Sequence, residues 1–171
     1  MAVREILVNG HPLLRKRAKE VKRITPEIQA LCADMLETMR AAPGVGLAAN
    51  QVGALHRVVV IEVPEDEDEL LGGKAFCLIN PEIVQASGSQ IGNEGCLSVP
   101  GYVGEVERYE SVVVKALAEN GKRVKISARG FLARVLQHEI DHLDGILYID
   151  KLTSPDKLYK VQEGEEEAEE V

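Results

Sequence analysis

The sequence lacks any run approaching the roughly 18 consecutive apolar residues that a membrane-crossing helix requires, which excludes a helical membrane span. Its opening residues, Met1 to Glu5, carry an acid early and lead into no long apolar stretch. No secretory signal is therefore expected, and the cytoplasm is the expected location. Cysteine is scarce: the three present, Cys32, Cys77 and Cys96, form no CxxC pair, and an odd count in a cytoplasmic chain points to thiols rather than a disulfide frame. Cys32 falls on the apolar side of a helical pattern and Cys77 in the strand-like run 75–79, so both read as small buried hydrophobes. Internal repeats and domain-separating linkers are absent. The linear pattern also holds no basic nucleic-acid footprint, so neither membrane contact nor direct nucleic-acid binding is expected.

What is present fits one globular domain. A length of 171 residues suffices for one full hydrophobic core, and 45% hydrophobic with 28% charged residues is ordinary for a soluble protein. The formal charge of −8 is local: six glutamates between Glu163 and Glu170 stand without a base, and without them the rest carries −2. A single domain over residues 1–161 and an acidic, disordered tail over 162–171 are expected. A second acidic run, Glu62 and Glu65 to Glu69, reads as a solvated loop.

Thr25-Pro26-Glu27 has the chemistry of a helix start: a capping hydroxyl, a proline at the first helical position and an acid in the first turn. Ile28, Leu31, Cys32, Met35 and Met39 follow at helical spacing, and Ala42-Pro43-Gly44 ends the pattern. The glycine-rich run 44–51 comes next, then strands at His56 to Val63, around Ala75 to Asn80 and at Glu82 to Ala86. Glu105 to Ala118 alternates β-branched residues, and Asn120-Gly121 turns it into a strand over Lys122 to Ala128. A second helix spans Gly130 to Leu143, with Gly145 as its stop. Strands and hairpins around one late buried helix make an α+β fold.

That second helix carries the chemistry. On a wheel at about 100° per residue, with His138 as origin, Phe131 falls at about 20°, His142 at about 40°, Val135 at about 60° and Glu139 at about 100°. Leu132, Leu136, Ile140 and Leu143 complete the apolar arc, while Arg134, Gln137, Asp141 and Asp144 occupy the opposite, wet side. A glutamate inside an apolar arc is costly unless it has a partner. Two histidines at i and i+4 project from one helix face and suit two sites of a tetrahedral metal, so 138–142 is an HExxH metal motif. The extended peptidase pattern would place a third histidine at 148, where Tyr148 stands. His11 and His56 lie in a polar lead-in and at a strand start, and the downstream acids lack a convincing helical context. Cys96, in the glycine- and proline-bounded stretch 92–100, is the best third ligand, because a metal holds a thiol deprotonated at neutral pH.

Three segments together resemble the motifs of one known family, the peptide deformylases: Gly44-Val45-Gly46-Leu47-Ala48-Ala49-Asn50-Gln51, Glu94-Gly95-Cys96-Leu97-Ser98 and Gln137-His138-Glu139-Ile140-Asp141-His142. Their order and spacing agree, and the similarity runs through Leu152. The resemblance implies an α+β fold of antiparallel strands and hairpins packed around the buried HExxH helix. It implies removal of the formyl group from the N-terminal methionine of nascent chains, so N-formylmethionyl peptides are the expected substrates, with transient ribosome proximity. It assigns Cys96, His138 and His142 to one divalent metal, Fe2+ by the family's preference, with Ni2+, Co2+ or Zn2+ as substitutes. Glu139 would handle the proton of a water on the metal, as general base and then acid. Gln51 and the Leu97 backbone N–H would receive the oxyanion.

The small residues around Gly46 would let the backbone approach substrate closely. Val45, Phe131 and Val135 are candidates for an apolar methionine pocket, with ordinary core packing as the alternative. One departure counts: where many relatives carry an arginine, this chain has Val103, which puts a peptide contact there in doubt, whereas Arg108 matches another family arginine and reads as structural. Two other readings stay open at this point. A metallopeptidase cleaving internal bonds is opposed by the missing third histidine, and a structural Cys-His-His metal protein would close the fourth metal position with a side chain.

Overall fold

The structure, a computed structural model, describes residues 2–161, and the acidic tail expected over 162–171 lies outside the described residues. Helix α1 spans Pro26–Ala41, and the Thr25 hydroxyl accepts a hydrogen bond from the Ile28 N–H at 3.3 Å, as the sequence chemistry predicts. The following strands form two antiparallel sheets. The first has the order β1-β2-β3-β6-β7, with β1 Gly46–Ala48, β2 Val58–Glu62, β3 Ala75–Ser87, β6 Ser111–Leu117 and β7 Arg123–Arg129. The second has the order β4-β5-β8, with β4 Gln90–Cys96, β5 Val99–Arg108 and β8 Leu158–Lys160. Helix α2, Gly130–Leu143, precedes β8 in the chain and ends where Gly145 adopts a left-handed φ of +77°.

Strand alternation explains the layers. Along β2, Val58 and Val60 point to one side and pack with Leu31, Cys32, Met35 and Met39 of α1. Val59 and Ile61 point to the other side and pack with Leu132, Val135 and Leu136 of α2. A strand buried on both faces must be apolar throughout, which is why β2 reads as an unbroken Val-Val-Val-Ile. Each such side chain removed from water contributes about 1.5–3 kcal/mol.

Four expectations need correction. The strands at Ala75 to Asn80 and Glu82 to Ala86 are one strand, β3, with a register shift between Ile79 and Glu82. Pro81 lacks a ladder donor and Asn80 turns to φ 53°, so the pairing breaks locally while the chain runs on. The Asn80 amide is not idle there: it bonds the Val21 N–H and C=O, both at 2.8 Å, and ties the N-terminal segment to the sheet. The alternating run Glu105 to Ala118 belongs to two strands, β5 and β6, parted at Tyr109-Glu110. The polar side of α2 is wet only at its end: Asp144 is exposed, but Arg134 is 5% exposed and Gln137 6%, because β4 and β5 cover that part of the helix. Cys32 and Cys77 are joined as a disulfide between α1 and β3, with Cα atoms 6.0 Å apart, so they are not separate thiols. The helical and strand patterns that carry them belong to facing layers, which a linear reading does not bring together.

No helix among the described residues is long and apolar enough to cross a membrane.

Candidate metal centre

Strand β4 ends beside the middle of α2, and this junction gathers the chemical residues. Cys96 is the last residue of β4, after a register shift between Gly95 and Cys96 that turns the thiol out of the ladder. The Cys96 Sγ lies 3.4 Å from His142 Nε2, and His142 Nε2 lies 3.2 Å from His138 Nε2. All three side chains are buried, and their ligand atoms lie within 4.8 Å of one another.

The protonation of His138 follows from its other ring nitrogen. Its Nδ1 lies 2.8 Å from Glu94 Oε1, and a carboxylate accepts, so Nδ1 carries the proton and Nε2 presents a lone pair. Burial alone would raise the Glu94 pKa. Hydrogen bonds from Arg108 and His138 outweigh that and hold the carboxyl well below the usual range. Arg108 forks onto both Glu94 oxygens at 2.8 and 2.9 Å, and Arg134 Nη1 adds a third contact at 2.7 Å. The Arg108 guanidinium also bonds Asp141 at 2.5 Å. Burial, the largest cause, and the positive charge of Arg108 push the His142 pKa well below the ordinary histidine range, which favours the uncharged ring that a metal binds.

Two imidazoles and a thiol aiming donor atoms at one point are what a divalent metal of borderline softness takes. Cys96, His138 and His142 therefore fit a metal ion. A second observation agrees. Glu139 is fully buried, and neither of its carboxyl oxygens has a hydrogen-bond partner among the described residues. Burial, then the negative charge of Glu94, push its pKa well above the usual carboxyl value. Its Oε1 lies 3.9 Å from His142 Nε2. Strand β1 closes over it so tightly that a Cβ added to Gly46 would sit 2.5 Å from Glu139 Oε2.

The remaining candidates surround this point. Gln51 is buried, its Oε1 accepting from the Ala48 N–H at 2.9 Å, so its amide NH2 faces Ser98 Oγ at 3.0 Å and Cys96 Sγ at 3.7 Å. Leu97 lies in the two-residue link between β4 and β5, and a Cβ on Gly44 would meet its side chain at 2.8 Å. Val45 and Phe131 are half-buried and pack against the cluster that contains the buried Val135, so these three do share one apolar region. Val103 is buried in β5 and presents no exposed side chain.

With the geometry in place, comparison decides the family. The sequence model of the polypeptide deformylase family matches residues 3–158. The chain belongs to the peptide deformylase family. It is 48% identical over 171 residues to a peptide deformylase of Thermomicrobium roseum, covering 99% of this chain and 97% of the relative. It is 54% identical over 169 residues to a peptide deformylase of Symbiobacterium thermophilum, covering 99% of this chain and 76% of that one. Among solved structures it resembles the peptide deformylase of Ehrlichia chaffeensis in complex with actinonin, with a TM-score of 0.85, 42% identity and 92% of each chain covered. The peptide deformylase of Thermotoga maritima gives a TM-score of 0.83 at 39% identity, covering 90% of this chain and 100% of that one. The α+β fold that three short motifs implied thus extends over nearly the whole chain, and with it the assignment to metal-dependent deformylating hydrolases.

Glu94 and Arg134 went unassigned in the sequence reading. For Glu94 a signal existed: it stands two residues before Cys96, within the same short motif. Arg134 offered none, because its partners come from strands 28 to 44 residues away.

Proposed function

We propose that this chain removes the N-formyl group from the N-terminal methionine of nascent polypeptides, by hydrolysis at a centre built from Cys96, His138, His142 and Glu139. The observation that carries this reading is the convergence of the Cys96 thiol and both Nε2 atoms beside a fully buried carboxyl that has no hydrogen-bond partner among the described residues. Cys96, His138 and His142 hold one divalent ion, ferrous iron in the cell, for which nickel, cobalt or zinc substitutes. When bound, such an ion supplies Lewis acidity toward the formyl oxygen and acidifies water.

The residues do the rest. Glu139 takes a proton from the attacking water as its oxygen bonds the formyl carbon. Glu139 then returns that proton to the nitrogen as the C–N bond breaks, giving formate and a free amine. A carboxyl whose pKa burial has raised suits both halves of that transfer. The Gln51 amide, held toward Cys96 by Ala48, and the Leu97 N–H donate to the developing oxyanion. The backbone at Gly46 approaches the substrate, and Val45, Phe131 and Val135 receive the methionine side chain. The catalytic unit in this reading is residues 1–161. Its substrates leave the ribosome in the cytoplasm, so the enzyme works there in transient proximity to ribosomes.

The test pairs metal analysis of anaerobically purified protein with hydrolysis of formyl-Met and acetyl-Met peptides. One metal per chain, release of formate from the formyl peptide, rejection of the acetyl peptide and loss of activity on chelation are expected. Cleavage of internal bonds in unformylated peptides without formate release would overturn the reading in favour of a peptidase.

A further inference from the structure

The linear sequence holds no basic block, yet the pleat of one hairpin builds one. Residues 111–129, which form β6, its turn and β7, carry Lys115, Lys122, Arg123, Lys125 and Arg129 against a single acid, Glu119. Five bases against one acid give this hairpin +4 in a chain of −8, so the rest of the molecule carries −12. Along β7 the inward positions Ile126 and Ala128 are buried, whereas Arg123, Lys125, Ser127 and Arg129 face outward and are exposed. Lys115 of β6 is exposed on the same face and stands in the ladder between Glu82 of β3 and Lys125 of β7. None of these five bases has an ion-pair partner within 4.0 Å among the described residues, and Arg129 donates to the neutral Ser111 hydroxyl. A groove of about 390 Å³ runs between Lys115, Arg123 and Lys125, over Leu117 and Val124, with Glu82 as its acid.

Pairing with Glu82 accounts for Lys115, but the ladder sets no acid opposite Arg123, Lys125 or Arg129. Like charges directly opposite in a ladder are destabilising, and acidic proteins ordinarily intersperse the two signs on a free surface. Edge strand β7 instead presents Arg123 and Lys125 one two-residue step apart, about 6.8 Å. That is a row of cations suited to following a chain of phosphates.

We propose that the outer face of the β6–β7 hairpin docks on the phosphate backbone of structured RNA at the ribosome. The inference rests on the deformylase reading, because a substrate that is a nascent chain is delivered by a particle whose surface is rich in RNA. The face exposes cations and no aromatic ring, so it lacks stacking platforms for single-stranded bases and recognises backbone rather than sequence. It also lacks an exposed apolar side chain to enter a lipid surface, which argues against a membrane.

The experiment uses the full chain and measures binding to intact ribosomes and to a labelled duplex fragment of ribosomal RNA. Three neutralised phosphates predict affinity falling roughly 40-fold between about 50 and about 200 mM salt. The triple variant Lys115→Gln/Arg123→Gln/Lys125→Gln should lose most of that binding while hydrolysing short formyl-Met peptides at the unchanged rate. Lys22→Gln/Arg23→Gln, which removes cations elsewhere, should bind as the parent does. Equal ribosome and RNA binding by the parent and the hairpin variant would overturn the proposal, and so would binding to anionic vesicles but not to RNA. A hairpin variant that also fails on short peptides would be replaced by Lys125→Gln alone, whose salt slope should fall by about one. An unaltered slope there also overturns it. Failure on formyl-Met peptides by the parent protein would instead strike the deformylase reading, so the two failures are distinguishable.

Discussion

At the residue scale the sharpest constraint is the contact between Gly46 and Glu139. The buried carboxyl stands where an added methyl on Gly46 would come within 2.5 Å of Oε2 and 2.9 Å of Cγ, so a larger residue must displace either the carboxyl or β1. Gly46→Ala should lower kcat/KM by about tenfold or more, because about 1.4 kcal/mol of misplacement already costs that factor. An unchanged rate in steady-state assay would mean that Glu139 has room to move. Glu139→Gln keeps the shape and removes the proton-transfer capacity. It should keep the metal, measured by elemental analysis, and lose turnover by at least roughly 10²–10⁴-fold. Near-normal turnover would remove Glu139 from the proton path. Both residues were legible in the sequence, because His138, Glu139 and His142 share one helix and their relation is local. The contact with Gly46 was not, since it joins positions 93 residues apart in the sequence.

At the element scale, β4 and α2 are joined by charge rather than by apolar packing alone. Glu94 on β4 faces Arg134 and His138 on α2, and Arg108 on β5 completes the cluster. The sequence made both helices legible, since Thr25-Pro26 and Gly145 mark ends by their own local chemistry. It misplaced the polar side of α2, because a helical wheel shows one element and not the sheet that covers it. It also split β3 at Asn80-Pro81, where a local breaker is overridden by pairing on both sides. The buried cluster makes a prediction that a wet helix face would not. Glu94→Gln leaves Arg134 buried without its carboxylate and Arg108 with Asp141 alone, and breaking a buried pair in this way costs about 3–5 kcal/mol. It also replaces the acceptor that fixes the His138 tautomer, so thermal stability and metal retention should fall together. Arg134→Met leaves Glu94 with Arg108 and His138 and should have the smaller effect on both. Calorimetry and metal titration of the two variants, with equal losses in each, would refute this ordering.

At the scale of the whole molecule, the five-stranded sheet is held between two helices, and one covalent link crosses between layers. Cys32 on α1 and Cys77 on β3 close a loop of sequence separation 45 through the α1-side core, and that loop carries Gly46 and Gln51. A disulfide forms and persists only where the surroundings are oxidising enough to keep it, so its presence in the purified protein is itself a measurable property. By the chain-entropy model a loop of that length restricts the unfolded chain by about 4 kcal/mol. For a domain of this size, a stabilisation of about 2–4 kcal/mol corresponds to roughly 5–15 °C in Tm. Peptide mapping without reductant should recover Cys32 and Cys77 in one linked fragment. Cys77→Ala should then lower Tm by that amount while leaving kcat per bound metal unchanged, because Cys77 lies outside the Cys96-His138-His142 cluster. The variant is preferable to added reductant, which would also act at Cys96. A parent protein with both thiols unlinked, or a Cys77→Ala variant melting with the parent, would show that the α1-side core holds α1 to the sheet without the covalent bond.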